Sequence, residues 1–427
     1  MQSKIIAFTK DWDDVPTCTT HILREMAKDM HVLWIESIGT RKPNLARSRD
    51  LMRGWRKVIS ALRPAEIKEN NLRVLSPLVI PKPESRFGKW LNRKLLGAAI
   101  SRELKEMGSG PVEYWCFIPN AVDFLPEIRR LTTSEQSGDP DCSGQQLNNP
   151  ETSTGIKLST TDDESVVVYY CADDWSKFHY LDEAWIAKKE NELIQRADIV
   201  FVVSRCLEDK HRESAGGKMH YMPHGVEYEK FAAALEEDTI VLPDIANVSK
   251  PVIGFYGNIY PWIDFVLLEE LAQKRPLWNF VMIGQVYCDI SRFNSMRNVH
   301  FPGRREHDDL PKYCKAFDAA IIPYDMKNSR MESVSPVKTK ELLAAGVPIV
   351  ASRIPELELE YSREKAQKET NKGKDIITCA TASEWIEAIE KQIARTDRRA
   401  ISQRVKKEDW VEKIGIIREM VDKTYAV

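Results

Sequence analysis

The 427-residue sequence contains no uninterrupted apolar run of the ~18 residues that a membrane-spanning helix needs. Its opening, MQSKIIAFTKDW, places charges where a signal peptide has its apolar centre, which reads as a protein made and kept in the cytoplasm. The eight cysteines (Cys18, Cys116, Cys142, Cys171, Cys206, Cys288, Cys314 and Cys379) include no C-x-x-C pair, and no histidine cluster at metal spacing lies near them. They read as reduced packing residues, not as a disulfide framework or a zinc site. A basic excess is missing too: 62 lysines and arginines face 64 aspartates and glutamates, which excludes a general nucleic-acid coat and leaves any basic surface local. No repeat at a fixed short period is present. What the composition supplies is core, with 43% hydrophobic residues over a length that suits two or three domains.

β-Branched and aromatic runs alternate with helix-length amphipathic segments: KIIAFT, HVLWIE, PVEYWCFI, VVVYYC and DIVFVVS, then PVIGFYG, FVMIG, DAAIIPY, VPIVAS and DIIT. That alternation predicts parallel sheets with crossover helices, and the runs outnumber one usual doubly wound sheet. The fold class is therefore α/β with two Rossmann-like doubly wound domains, 1–235 and 250–404, joined through the polar stretch between Phe231 and Pro251. Residues 132–165, rich in Ser, Thr, Asn, Gln and Gly, predict a surface insertion. In the final segment, 405–427, Trp410, Ile414, Ile417 and Val421 share one helical face, which predicts a docked terminal helix.

The segment from Ser333 to Ser352, SVSPVKTKELLAAGVPIVAS, carries the most chemistry. Ser335 and Pro336 read as N-cap and first helical residue, Leu342 and Leu343 as the buried face, Gly346 as the stop, and Pro348 to Ala351 as the entry to a strand. Free backbone N–H groups and Lys338 in the first turn favour a phosphate guest. Glu341, about one turn on, is placed to accept hydrogen bonds from sugar hydroxyls. Gly257, Gly284, Gly303 and Ser352 fall near loops after strands of the second half, the crevice edge where doubly wound sheets bind nucleotides.

The run Glu341-Leu-Leu-Ala-Ala-Gly346-Val-Pro348-Ile-Val350 resembles the closing half of the Glu-x7-Glu segment of retaining GT-B glycosyltransferases of the family-4 type. The form Ser335-Pro336-x-Lys338-x-x-Glu341 looks most like the subgroup associated with polysaccharide and teichuronic-acid-type synthesis. Further agreement comes in family order from Gly254 to Asn258, Phe280 to Gly284, Asp318 to Tyr324, Ala197 to Ser204 and Pro223 to Val226. The resemblance implies two domains facing across a cleft, with the C-terminal helix crossing back to the first. It assigns Glu341 to the nucleotide ribose, and it implies donor contacts from Gly257, Asn258, Gly284, Arg304, Ser333, Val334 and Ser335. Two departures stand out. Ser333 replaces the family's first glutamate, with Glu332 one step out of register. Gly257-Asn258-Ile259-Tyr260 lacks the family's Arg-Lys diphosphate pair, so Lys338, helped by Arg304 or Arg305, takes that role. Asp173 and Asp174 follow the strand Val166 to Tyr170, where relatives contact the transferred sugar, and join Lys338 as catalytic candidates.

None of the Asp-Asp pairs (13–14, 162–163, 173–174, 308–309) has a strand-embedded D-x-D context, so neither a metal nor any cofactor besides the donor substrate is expected. His21 lies in a hydroxyl-rich loop that reads as helix-capping or acceptor-facing; His224 reads as structural. Residues 41–63 hold eight basic residues against one acid, with Leu51, Trp55, Val58 and Leu62 as an apolar stripe. The pattern suits a helix on an anionic membrane or one packed on the first domain. The expected function is transfer of a sugar from a nucleoside diphosphate sugar to a glycan or lipid-linked hydroxyl in cell-surface polysaccharide synthesis. A sugar-nucleotide 2-epimerase and a catalytically silent nucleotide-sugar-binding subunit are the alternatives. Nucleic acid is not an expected partner.

Overall fold

The computed structural model describes residues 3–38, 65–129, 165–361 and 375–425, less positions 15, 70, 81–84, 109, 127–128 and 179. The basic stretch 41–63, Cys142 and the expected insertion, apart from Ser165, lie outside the described residues. Among the described residues the cysteines are unpaired thiols, and no helix is long and apolar enough to cross a membrane.

Eight strands form the first sheet: β1 (Lys4–Phe8), β2 (His31–Ile35), β3 (Glu66–Glu69), β4 (Leu72–Leu75), β5 (Val112–Cys116), β6 (Ser165–Cys171), β7 (Ile199–Val202) and β8 (Met219–Tyr221). Their order is β3-β4-β2-β1-β5-β6-β7-β8, all parallel except β3. The second sheet holds β9 (Val252–Tyr256), β10 (Asn279–Ile283), β11 (Val299–Gly303), β12 (Ala319–Ile322), β13 (Ile349–Ser352) and β14 (Ile376–Cys379), ordered β11-β10-β9-β12-β13-β14 and wholly parallel. The central strands are dominated by apolar residues because helices cover both faces of a parallel sheet, with Lys4 in β1 and Glu113 in β5 as charged exceptions. β1 and β9 are buried along their whole length. β3, β4, β8 and β11 have no counterpart among the runs read from the sequence. The edge strands among them are short and partly exposed, so neither hydrophobicity nor period marks them.

Each sheet has its own core. The helix Trp410–Thr424 follows the second domain yet buries Trp410, Ile414, Ile417 and Val421 in the first core. Arg418 on this helix donates to both oxygens of the fully buried Glu113 at 2.6 and 2.7 Å. Conversely, Val226, Tyr228, Phe231 and Ala234 pack in the second core, upstream of the boundary expected at 235. The two crossings meet where Val226 and Trp410 exchange backbone hydrogen bonds with the 408–410 and 226 segments.

Candidate functional site in the interdomain cleft

Between the sheets, at the carboxyl ends of their strands, lies a pocket of about 400 Å³. The first domain contributes Pro16, Thr17, Cys18, Ala172 and Asp173; the second contributes the turn after β9, the turn after β10 and the start of the helix Lys338–Ala344. Gly257 and Gly284 form the floor, both at positive φ (131° and 154°). A Cβ on Gly284 would stand 1.9 Å from the Gly257 carbonyl oxygen, and one on Gly257 would stand 2.8 Å from the Lys338 ammonium. Only glycine lets these two turns and the lysine approach so closely.

The Lys338 ammonium donates to the Tyr324 hydroxyl at 2.8 Å and lies over the Phe255 and Tyr324 rings at 4.6 and 5.3 Å. It pairs with no carboxylate among the described residues, so its charge faces the pocket. Glu341, 5% exposed, is held at both oxygens: the Tyr256 hydroxyl donates to one and His307 Nε2 to the other, each at 2.9 Å. Burial works against the Glu341 charge, but the hydrogen bond and charge of His307 outweigh it and hold the carboxyl below its usual range. The same bond overcomes burial at His307 and raises the imidazole. Each Glu341 oxygen retains a lone pair for a ligand hydroxyl.

His307, unremarked in the sequence, lies 34 residues from Glu341, and no local motif joins them. Arg330 was missed for the same reason. Its guanidinium lies 3.3 Å from the Asp173 carboxylate across the cleft, between the Phe178 ring at 4.0 Å and the Trp262 ring at 4.9 Å. Both Arg330 and Asp173 line the pocket.

The second half is similar to the glycosyl transferases group 1. The family model matches residues 250–395, a span that includes Gly257, Gly284, Arg330, Lys338 and Glu341. Over 205 residues the chain is 32% identical to TuaH of Bacillus subtilis, a protein assigned by name to teichuronic acid biosynthesis as a glycosyltransferase. The match covers 44% of this chain and 51% of TuaH, so the chain spans about half the length of this curated relative. Sucrose-phosphate synthase from Thermosynechococcus elongatus superposes with a TM-score of 0.62 at 14% identity, covering 100% of both chains. Anabaena HepE in complex with UDP and glucose gives 0.61 at 14%, covering 98% of this chain and 99% of HepE. The fold is accordingly that of the GT-B glycosyltransferases.

Within this domain the structure sorts the expected residues. Gly257, Asn258, Gly284, Arg304, Val334, Ser335, Lys338 and Glu341 line the pocket, as does Asp173 from the first domain. Asp174 does not. It is buried and caps the next turn, accepting from Lys210 at 2.6 Å and from the Ser176 hydroxyl at 2.6 Å, partners that hold its carboxyl low against burial. Ser333 also stands outside the pocket wall: its hydroxyl donates to the Arg330 carbonyl, and its own carbonyl accepts from the Ser204 hydroxyl at 2.9 Å across the domains. Ser335 is not an N-cap, because Pro336 and Val337 make a preliminary turn in which their carbonyls take the N–H groups of Thr339 and Lys340. The helix therefore starts at Lys338. Gly346 does end it, at φ 70°, with the Gly346 and Val347 N–H groups bonded to the Leu343 and Leu342 carbonyls. Arg305, the alternative helper cation, is committed to Asp244 and Tyr313. His224 is buried, and burial and the Lys340 ammonium push its pKa down to about 3, so it stays neutral.

Proposed function

We propose that this chain transfers a sugar from a nucleoside diphosphate sugar to a hydroxyl of a glycan or lipid-linked acceptor, with retention of anomeric configuration, in cell-surface polysaccharide synthesis. The observation that carries this reading is an ammonium with no carboxylate partner among the described residues, Lys338, held against a glycine floor about one helical turn from an ionised Glu341. Such a site takes an anion and a diol at a fixed separation. Phosphoryl oxygens meet Lys338, with Arg304 and Arg330 at the pocket wall, and ribose hydroxyls donate to Glu341. The Asp173 face of the first domain is left for the transferred sugar and acceptor.

In the transfer, the bond between the anomeric carbon and the departing phosphate oxygen breaks, and a bond to the acceptor oxygen forms. The acceptor proton passes to the departing phosphate. Negative charge grows on the diphosphate, and a preorganised cation lowers that barrier because it is already in place when the charge arrives. No metal or other cofactor is part of the proposal. Cytoplasmic location and peripheral association with the membrane's inner face, with 41–63 as one contributor, belong to the same proposal.

The test is calorimetric titration with UDP, the nucleotide in the HepE complex, followed by turnover of a panel of nucleotide sugars with and without glycan acceptors. Acceptor-dependent release of nucleotide supports the reading. Conversion of the sugar without acceptor would instead establish an epimerase, and binding without turnover a silent subunit.

A further inference from the structure

The helix Arg86–Glu106 packs on the first core through Leu96, Ile100 and Leu104, but its first two turns present aromatic rings to water. Phe87 is 68% exposed and Trp90 52%, with ring centroids 5.7 Å apart and planes inclined by 30°. The buried Asn92 side chain clamps the backbone of Ile80, accepting from its N–H at 2.7 Å and donating to its carbonyl at 2.8 Å. That clamp sets the exposed Ile80 beside the helix, with the exposed Leu78 two residues before it in the chain; Leu95 of the same helix is exposed as well. Arg86, Lys89 and Lys94 are exposed around these residues, and no acidic residue precedes Glu103 in this helix.

We propose that this surface docks on an anionic lipid bilayer. A helix entirely satisfied by its own domain gains nothing by exposing an adjacent Phe and Trp, whereas at a headgroup boundary these rings are buried and the flanking cations meet anionic lipid. A second copy of the chain is the weaker occupant, because a two-fold contact would set Arg86, Lys89 and Lys94 against their own copies, a like-charge encounter. Topology gives the docking a direction. β4 runs parallel to β2, and the helix starts after the carboxyl end of β4 and returns to β5, so its first turn lies at the end of the sheet where the cleft opens. Docking there presents the acceptor side of the cleft to the membrane. The docking deepens the peripheral association proposed above by assigning it a surface, and this last step rests in addition on the sugar-transfer reading.

The experiment uses the full chain and vesicles of phosphatidylcholine with or without about one third phosphatidylglycerol at low salt. Wild-type protein should sediment with the anionic vesicles, and raised salt should release it. The double variant Phe87→Ser/Trp90→Ser should lower the partition coefficient about tenfold or more, and Lys89→Glu/Lys94→Glu should lower it and flatten its salt dependence. The wild-type minus Trp90→Phe fluorescence difference should shift to the blue with anionic vesicles only. Unchanged partitioning of Phe87→Ser/Trp90→Ser, including binding carried instead by 41–63, overturns the proposal. So does failure of wild-type protein to bind, or a dimer in sedimentation velocity that the double variant abolishes. A wild-type protein that docks but binds no UDP would refute the nucleotide reading and leave the docking surface standing.

Discussion

Exchanging His307 for glutamine isolates the charge that supports Glu341. Glutamine keeps an N–H donor near the position of Nε2 and cannot be protonated. Glu341 is buried, with Tyr256 on one oxygen and His307 on the other. A hydrogen bond to a charged partner contributes about 1.5–3 kcal/mol and a neutral donor about 0.5–1.5, so His307→Gln should cost roughly 1–1.5 kcal/mol where the histidine is charged. Its dependence on pH has a definite sign. Glu341 is lowered in the folded state, so its contribution is present above its unfolded pKa and is lost as pH falls through the folded value. His307 is raised, so its contribution is complete below its unfolded pKa and is lost as pH rises through the folded value. With unfolded values of about 4.3 and 6.5, the pair is most stabilising between about pH 4.5 and 6.5. The other charges facing the imidazole are Lys230, 3.2 Å from Nδ1 and opposing its protonation, and Glu227, 3.6 Å away and favouring it; the His21 ring lies at 5.7 Å. Urea unfolding of wild type and His307→Gln near pH 5.5, 6.5 and 8.5 should therefore show a gap that narrows as pH rises. A gap that is constant or widens toward alkaline pH refutes the ion pair.

Lys338→Ala should lower kcat more than it weakens donor binding, because the ammonium matters most as charge reaches the diphosphate; steady-state kinetics with the donor found active would show the split, and a change in KM alone would make Lys338 a plain binding residue. Gly284→Ala should prevent folding or lower the thermal midpoint sharply, since its Cβ meets the Gly257 carbonyl oxygen rather than a flexible side chain. Arg418→Ala strands the fully buried Glu113 and should cost about 3 kcal/mol in urea unfolding, with protease sensitivity appearing first in the C-terminal helix.

Local chemistry along the chain determined a good deal by itself. Continuous apolar runs marked the central strands because a parallel sheet buries both faces, so each strand announces itself without a partner. Lys338, Glu341 and Gly346 were legible because one helix of 3.6 residues per turn fixes their mutual placement. The tertiary structure alone decided the rest. Asp173 and Asp174 are neighbours of the same type, yet the turn after β6 sends one into the pocket and the other onto Lys210. Arg330 meets Asp173 across 157 residues of chain. His307 meets Glu341 only because the segment after β11 and the opening turn of the helix Lys338–Ala344 come together at the same rim. The helix at 410–424 shows an apolar stripe in sequence, but the core that stripe enters is chosen by the crossing at Val226 and Trp410. Periodicity encodes which face of an element is buried; which distant side chain waits there is set by sheet order and register, and those exist only once the chain has folded.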